Sequence, residues 1–86
     1  MSRYRVLLEK KAFKQLEKIS KDTRNRMIEA LHVLRDEGFS TRVDIKKLRG
    51  YRKQYRLRVG KYRILFELRP EKTIVVYAIL PRKAAY

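Results

Sequence analysis

The sequence predicts an α+β domain of order β-α-α-β-β-β, a helical hairpin packed on a small, mainly antiparallel sheet. Three observations carry that prediction. Apolar residues alternate with polar ones over residues 3–8, recur at three- and four-residue spacing in two stretches between Glu9 and Gly38, and alternate again from Tyr55 onward. A period of two suits a strand with one buried face, and a period near 3.6 suits a helix with one buried stripe. Eighty-six residues, 44% of them hydrophobic, suit a single small domain spanning residues 1–86.

In the first strand Tyr4, Val6 and Leu8 alternate with Arg3, Arg5 and Leu7. In the first helix Ala12, Leu16 and Ile19, with Phe13 beside them, form the apolar stripe, and Lys10, Lys11, Lys14, Glu17 and Lys18 take the wet side. Ser20 and Asp22 are N-cap candidates for a second helix. Its stripe is Met27, Leu31 and Leu34, flanked by Ile28 and Ala30, with Gly38 as a natural stop. Residues 39–52 read as a basic loop with Asp44 as its one acid. The remainder reads as a β-meander: residues 55–59, a turn at Gly60-Lys61, residues 62–68, a reversal over residues 69–72, and an apolar, β-branched strand over residues 73–80.

Charge is distributed unevenly along these elements. The chain carries 24 Lys and Arg against 9 Asp and Glu, a net +15, and residues 46–86 hold 13 of the cations but only 2 of the acids. That excess points to a polyanionic partner. There is no cysteine and His32 is the single histidine, so no metal centre or cofactor is expected, and His32 reads as structural. No apolar run approaches the roughly 18 residues of a membrane span and the N-terminus lacks a signal-peptide core, which predicts a cytoplasmic protein with no membrane partner. No small-molecule ligand is expected.

The turn at Gly60-Lys61 converts this charge into a site. A two-residue turn sets Val59 opposite Tyr62, Arg58 opposite Arg63, Leu57 opposite Ile64 and Arg56 opposite Leu65. One face then holds Tyr55, Leu57, Val59, Tyr62, Ile64, Phe66 and Leu68 for the helices, and the other gathers Arg56, Arg58 and Arg63. Like charges directly opposite on a sheet are unfavourable unless a ligand neutralises them. A second turn centred on Pro70-Glu71 would place Leu80 near Lys61 and carry Arg82, Lys83 and Tyr86 past the arginine end. In that register Leu65, Ile74, Val76, Ala78 and Leu80 share the arginine face and require a cover. Lys46, Lys47, Arg49, Arg52 and Lys53 read as phosphate contacts or as a plain charged loop. Tyr51, Tyr55, Tyr62 and Tyr77 read as core or half-buried residues rather than base-stacking platforms.

Arginine forks pair bidentately with phosphate and stay charged. Such a cluster suits holding an RNA backbone and stabilising a phosphorane while the RNA's own 2′-OH attacks the adjacent phosphorus. On these residues, namely the Lys-rich first helix, Lys47-Leu48-Arg49-Gly50, Tyr55-Arg56-Leu57-Arg58, Tyr62-Arg63-Ile64-Leu65-Phe66 and Ala78-Ile79-Leu80-Pro81-Arg82 through Tyr86, the chain resembles the RelE/ParE toxin superfamily, and most of all its archaeal RelE branch. The resemblance implies an endoribonuclease, an mRNA interferase that cleaves the codon in the ribosomal A site, and a RelB-type antitoxin that wraps and blocks it. It implies catalytic positions at Arg56, Arg58, Arg63, Arg82 and Tyr86, and RNA or ribosome contacts at Lys46, Lys47, Arg49, Arg52, Lys53, Lys61 and Lys83. Arg56 and Arg58 stand where relatives often carry lysine, and arginine does not deprotonate. A general base would then be Tyr86, Lys61, Lys83 or a ribosomal RNA group. Two other readings fit the same residues: a ParE-like DNA gyrase poison that cuts no RNA, and a non-catalytic basic RNA-binding module.

Overall fold

The structure, a computed structural model, describes residues 3–82 and is an α+β fold of two helices on one five-stranded sheet. The elements are β1 (Arg5–Leu8), α1 (Lys10–Glu17), α2 (Lys21–Glu37), β2 (Asp44–Lys47), β3 (Gln54–Val59), β4 (Tyr62–Arg69) and β5 (Thr73–Pro81). Sheet order is β1-β5-β4-β3-β2, with β1 parallel to β5 and every other pair antiparallel.

The helical stripes close over one face of this sheet. Ala12 and Leu16 of α1, Ile19 just beyond it, and Met27, Leu31 and Leu34 of α2 are buried against Leu57, Val59, Ile64, Phe66, Ile74, Val76 and Ile79. Ser20 occupies the N-cap of α2, although its side chain makes no capping bond. Gly38 ends α2 at φ +71, and a Cβ there would lie 2.7 Å from the ring of Tyr4. That position requires glycine for its backbone and for the aromatic packed on it.

The structure differs from the sequence expectation in two places that bear on the site. The basic loop contains β2, an edge strand of four residues, three of them charged. It joins the sheet through Asp44–Arg58, Ile45–Leu57, Lys46–Arg56 and Lys47–Tyr55, and only Ile45 shows the apolar signal of a strand. The second difference is the register of β5. Arg69 pairs with Thr73, so the turn holds three residues, Pro70, Glu71 and Lys72, with Glu71 and Lys72 at φ +62 and +53. This extra residue turns Ile74 and Val76 into the core rather than onto the arginine face. A bulge then shifts the register again between Leu65 and Phe66, so Leu65 faces Ala78 and Arg63 faces Leu80. Gln15 of α1 accepts a hydrogen bond from the Ile79 amide beyond the bulge at 2.7 Å. Leu80 therefore lies opposite Arg63, not beside Lys61.

Candidate functional site

The site begins at the hairpin. Gly60 has φ +57 and Lys61 does not share the left-handed region, the pattern of a type II′ turn, whose twist matches that of the flanking strands. The register follows as the turn dictates: Val59 opposes Tyr62 and Arg58 opposes Arg63. In a two-residue hairpin the pair next to the turn exchanges both hydrogen bonds. The following pair, Arg58–Arg63, is then of the non-bonded kind, with Cα atoms only about 4.5 Å apart.

Read across the sheet, that level is Asp44, Arg58, Arg63, Leu80, and the next is Lys46, Arg56, Leu65, Ala78. All eight belong to the face turned away from the helices, since their neighbours Ile45, Leu57, Ile64 and Ile79 belong to the core. Arg58 is exposed, whereas Arg63 retains only 5% of its accessible surface. The Arg63 Nη1 donates a long bond of 3.4 Å to the Tyr62 carbonyl, and its Nε is buried without a hydrogen-bond partner among the described residues. Arg63 pairs with no carboxylate among the described residues. The Arg56 side chain is 13% exposed; its Nη1 lies 3.7 Å from the Asp44 carboxylate and makes no hydrogen bond among the described residues. Two half-satisfied guanidinium groups thus sit in a low-dielectric surface, where an unmet donor costs about 1–3 kcal/mol and an incoming anion is attracted strongly.

Lys61 occupies the turn at the end of this face. The Arg82 amide donates to the Lys61 carbonyl at 2.7 Å, which brings the backbone of Arg82 to the same end. The structure therefore gathers Arg56, Arg58, Arg63, Lys61 and the Arg82 backbone. Lys46 stands beside Arg56, Lys47 ends β2, and Arg49, Arg52 and Lys53 belong to the β2–β3 connection at the other end of the sheet. Lys83 and Tyr86 lie outside the described residues.

Three residues at or beside this surface escaped the sequence reading. Asp44 looked like a loop acid, but β2 delivers it directly opposite Arg58, 57% exposed and ion-paired to Arg56. It is the one residue in the arginine level with a carboxylate that can accept a proton. Only the pairing of β2 reveals it. Arg26 of α2 reaches over the turn, its guanidinium 3.7 Å from where a Cβ on Gly60 would stand. Tyr51, read as packed, is 65% exposed. Tyr4, Tyr55, Tyr62 and Tyr77 are half-buried, and Tyr55 stacks on Phe66 with ring centroids 5.6 Å apart. His32 is exposed on α2, in a hollow lined also by Phe13 and Ile28, away from the arginines.

Residues 6–86 match the family described as the ParE toxin of type II toxin-antitoxin system, parDE. A curated relative, toxin RelE3 of Methanocaldococcus jannaschii, is 47% identical over 45 residues, which make up 52% of this chain; the match spans about half the length of that relative, 50%. The fold is also similar to that in the RelE-RelB complex of Pyrococcus horikoshii OT3, at 27% identity and TM-score 0.78, covering 96% of this chain and 99% of that one. The RelB-RelE antitoxin-toxin complex of Methanococcus jannaschii gives 31% identity and TM-score 0.78 over 93% of this chain and 94% of that one.

Proposed function

Because the chain belongs to the ParE toxin family of type II toxin-antitoxin systems, within which it is RelE-like, we propose that it is a cytoplasmic, ribosome-dependent endoribonuclease that cuts mRNA in the A site and is restrained by a RelB-type antitoxin. One observation carries this reading: the direct opposition of Arg58 and Arg63, with Arg63 buried and lacking a carboxylate partner among the described residues. Such an arrangement is unfavourable until an anion bridges it. A phosphodiester offers acceptors that the guanidinium forks match.

In this reading the 2′-hydroxyl oxygen attacks the neighbouring phosphorus and the bond to the 5′-oxygen breaks; the departing 5′-oxygen takes a proton from water, leaving a 2′,3′-cyclic phosphate and a 5′-hydroxyl. Arg58 and Arg63 stabilise the added negative charge of the phosphorane, work that elsewhere falls to oxyanion-hole donors. Asp44, anchored by Arg56, takes the 2′-hydroxyl proton, a task open to a carboxylate and closed to arginine. Lys61 and Arg82 hold flanking phosphates, and Lys46, Lys47, Arg49, Arg52 and Lys53 contact RNA phosphates of the message or of the ribosome. Roles for Lys83 and Tyr86 follow from the resemblance alone. The P. horikoshii and M. jannaschii relatives are RelE–RelB complexes, which supports a RelB-type antitoxin; in this reading it covers Leu65, Leu80 and the arginines together.

The test is 5′-end mapping of translated mRNA after expression of the wild-type chain and Arg63→Ala. Codon-phased cuts by the wild type, reduced about 10²–10³-fold in the variant with antitoxin binding retained, are the expected result. Full cleavage by Arg63→Ala would remove that side chain from the mechanism. The family description as ParE favours one second reading, a gyrase poison. Wild-type expression that damages DNA and leaves mRNA intact would select it.

A further inference from the structure

The connection between β2 and β3 is built more tightly than a plain charged loop. The Leu48 amide donates to the Gln54 carbonyl at 2.8 Å and the Tyr51 amide to the Leu48 carbonyl at 3.4 Å. Gly50 and Lys53 adopt φ +82 and +58 to close it. Residues 46–52 line a shallow hollow of about 630 Å³. Four of its seven lining residues, Lys46, Lys47, Arg49 and Arg52, are cations, none is an acid, and none of the four has a carboxylate partner among the described residues.

Into this cationic rim the chain places Tyr51, which at 65% exposure is the most exposed of its large apolar and aromatic side chains among the described residues. At this exposure the Tyr51 ring contributes little to the core and presents its face to a partner, beside cations that attract an anionic one. Tyr77 of β5, half-buried, lies close enough for Tyr51 to influence its ionisation. Its hydroxyl is pushed above the usual tyrosine range by burial first, then by Glu67 and Tyr51. Glu67 is the acid nearest this end of the face and is already engaged, accepting bonds from Gln54 at 3.1 Å and Arg69 at 2.7 Å.

We infer that the end of β2 at Lys47 and the loop that follows it, residues 48–52, form a second RNA subsite, in which Tyr51 stacks an unpaired nucleobase while Lys47, Arg49 and Arg52 hold the phosphates beside it. Unpaired bases stack on exposed aromatic rings regardless of sequence, and basic side chains follow the backbone. A double helix has its bases stacked internally and would make no use of Tyr51. The loop springs from the level of Gln54 and Glu67, four residues along the strands from Arg58 and Arg63. At the rise of a strand this is roughly 13 Å. The base held here is therefore not the one at the scissile linkage, and Tyr51 is a positioning residue that sets which linkage reaches the arginines. This inference rests on the reading that the open face binds RNA and extends it to a second contact.

The test uses the full chain and a short, 2′-O-methylated single-stranded RNA, which lacks the attacking hydroxyl, together with the same oligonucleotide made abasic. Tyr51→Ala is expected to weaken binding of the normal oligonucleotide 5- to 100-fold, with an unchanged dependence on salt, and Tyr51→Phe to bind as the wild type does. The wild type should bind the abasic oligonucleotide as weakly as Tyr51→Ala binds the normal one. Arg49→Ala should instead lower the salt dependence. Equal affinity of Tyr51→Ala and wild type for the normal oligonucleotide would overturn the subsite, as would equal affinity of the wild type for both oligonucleotides. Loss of antitoxin binding by Tyr51→Ala with RNA affinity intact would also overturn it and mark the loop as a protein interface. Base-dependent binding by a wild type that cuts no translated mRNA would sink the nuclease and leave the subsite standing. Codon-phased cleavage unaltered in rate and position by Tyr51→Ala would sink the subsite alone.

Discussion

The two faces of this sheet are separated by a single residue step along each strand, yet they obey opposite rules. On the helix side the level Ile45, Leu57, Ile64, Ile79 is apolar and packed beneath α1 and α2. One step away, Asp44, Arg58, Arg63, Leu80 collects charge that no part of the described chain neutralises fully. The first face stabilises the fold through burial. The second leaves guanidinium donors unmet among the described residues, donors that a bound anion would satisfy, and this is why we propose it as the site.

The sharpest way to break the contrast is to damage the helix side. Phe66 is fully buried and shares an aromatic cluster with Phe39 and Tyr55. Phe66→Ala is expected to lower the unfolding free energy by about 3–5 kcal/mol, read by chemical denaturation, and loss of cleavage should follow the unfolded fraction alone. On the open side Asp44→Asn conserves the shape of a side chain that is 57% exposed. It should slow cleavage about 10²-fold, a typical contribution of a general base, without weakening RNA binding. Tighter RNA binding at an unchanged rate would instead make Asp44 a counterion for Arg56.

A smaller effect sharpens the comparison further. Arg63→Met keeps a long apolar stem in the buried position and deletes both the repulsion with Arg58 and the unmet Nε donor. Stability should rise by about 1 kcal/mol while codon-phased cleavage falls about 10²–10³-fold, as for Arg63→Ala; a fall in stability would show that the guanidinium serves the fold. The smallest effect lies far from both faces. A bidentate bond from Arg35 holds the Asp36 carboxyl down at about 2, with Arg3 also contributing. A depressed carboxyl stabilises the folded state above its unfolded value of about 3.9 and loses that contribution as pH falls through about 2. Wild type and Asp36→Asn should therefore differ slightly in thermal midpoint near neutrality and converge at the acid end. The site is exposed, so a large difference would contradict the solvent screening of this pair.

The helix stripes, Gly38 and the opposition of Arg58 and Arg63 were legible in the chain, because each depends on local periodicity or on a turn too short to admit another register. The edge strand β2 was not, since Lys46, Lys47 and Asp44 are polar on both faces and only Ile45 faces the core. The placement of Ile74 and Val76 was misread because a turn of two residues and one of three look alike in the run Arg69-Pro70-Glu71-Lys72. The bulge shift between Leu65 and Phe66 has no local signature either, and it is this bulge that returns Ala78 and Leu80 to the arginine face.

What residue order alone dictated is the alternation of each strand, the amphipathic helices and the pair of arginines astride Gly60-Lys61, all products of interactions within a few positions of the chain. Folding in three dimensions added the parallel seat of β1 beside β5, the arrival of Asp44 opposite Arg58 and the outward placement of Tyr51. These depend on strand pairing and burial between segments distant in the chain, and such long-range partners leave no periodic mark on the residues that will meet.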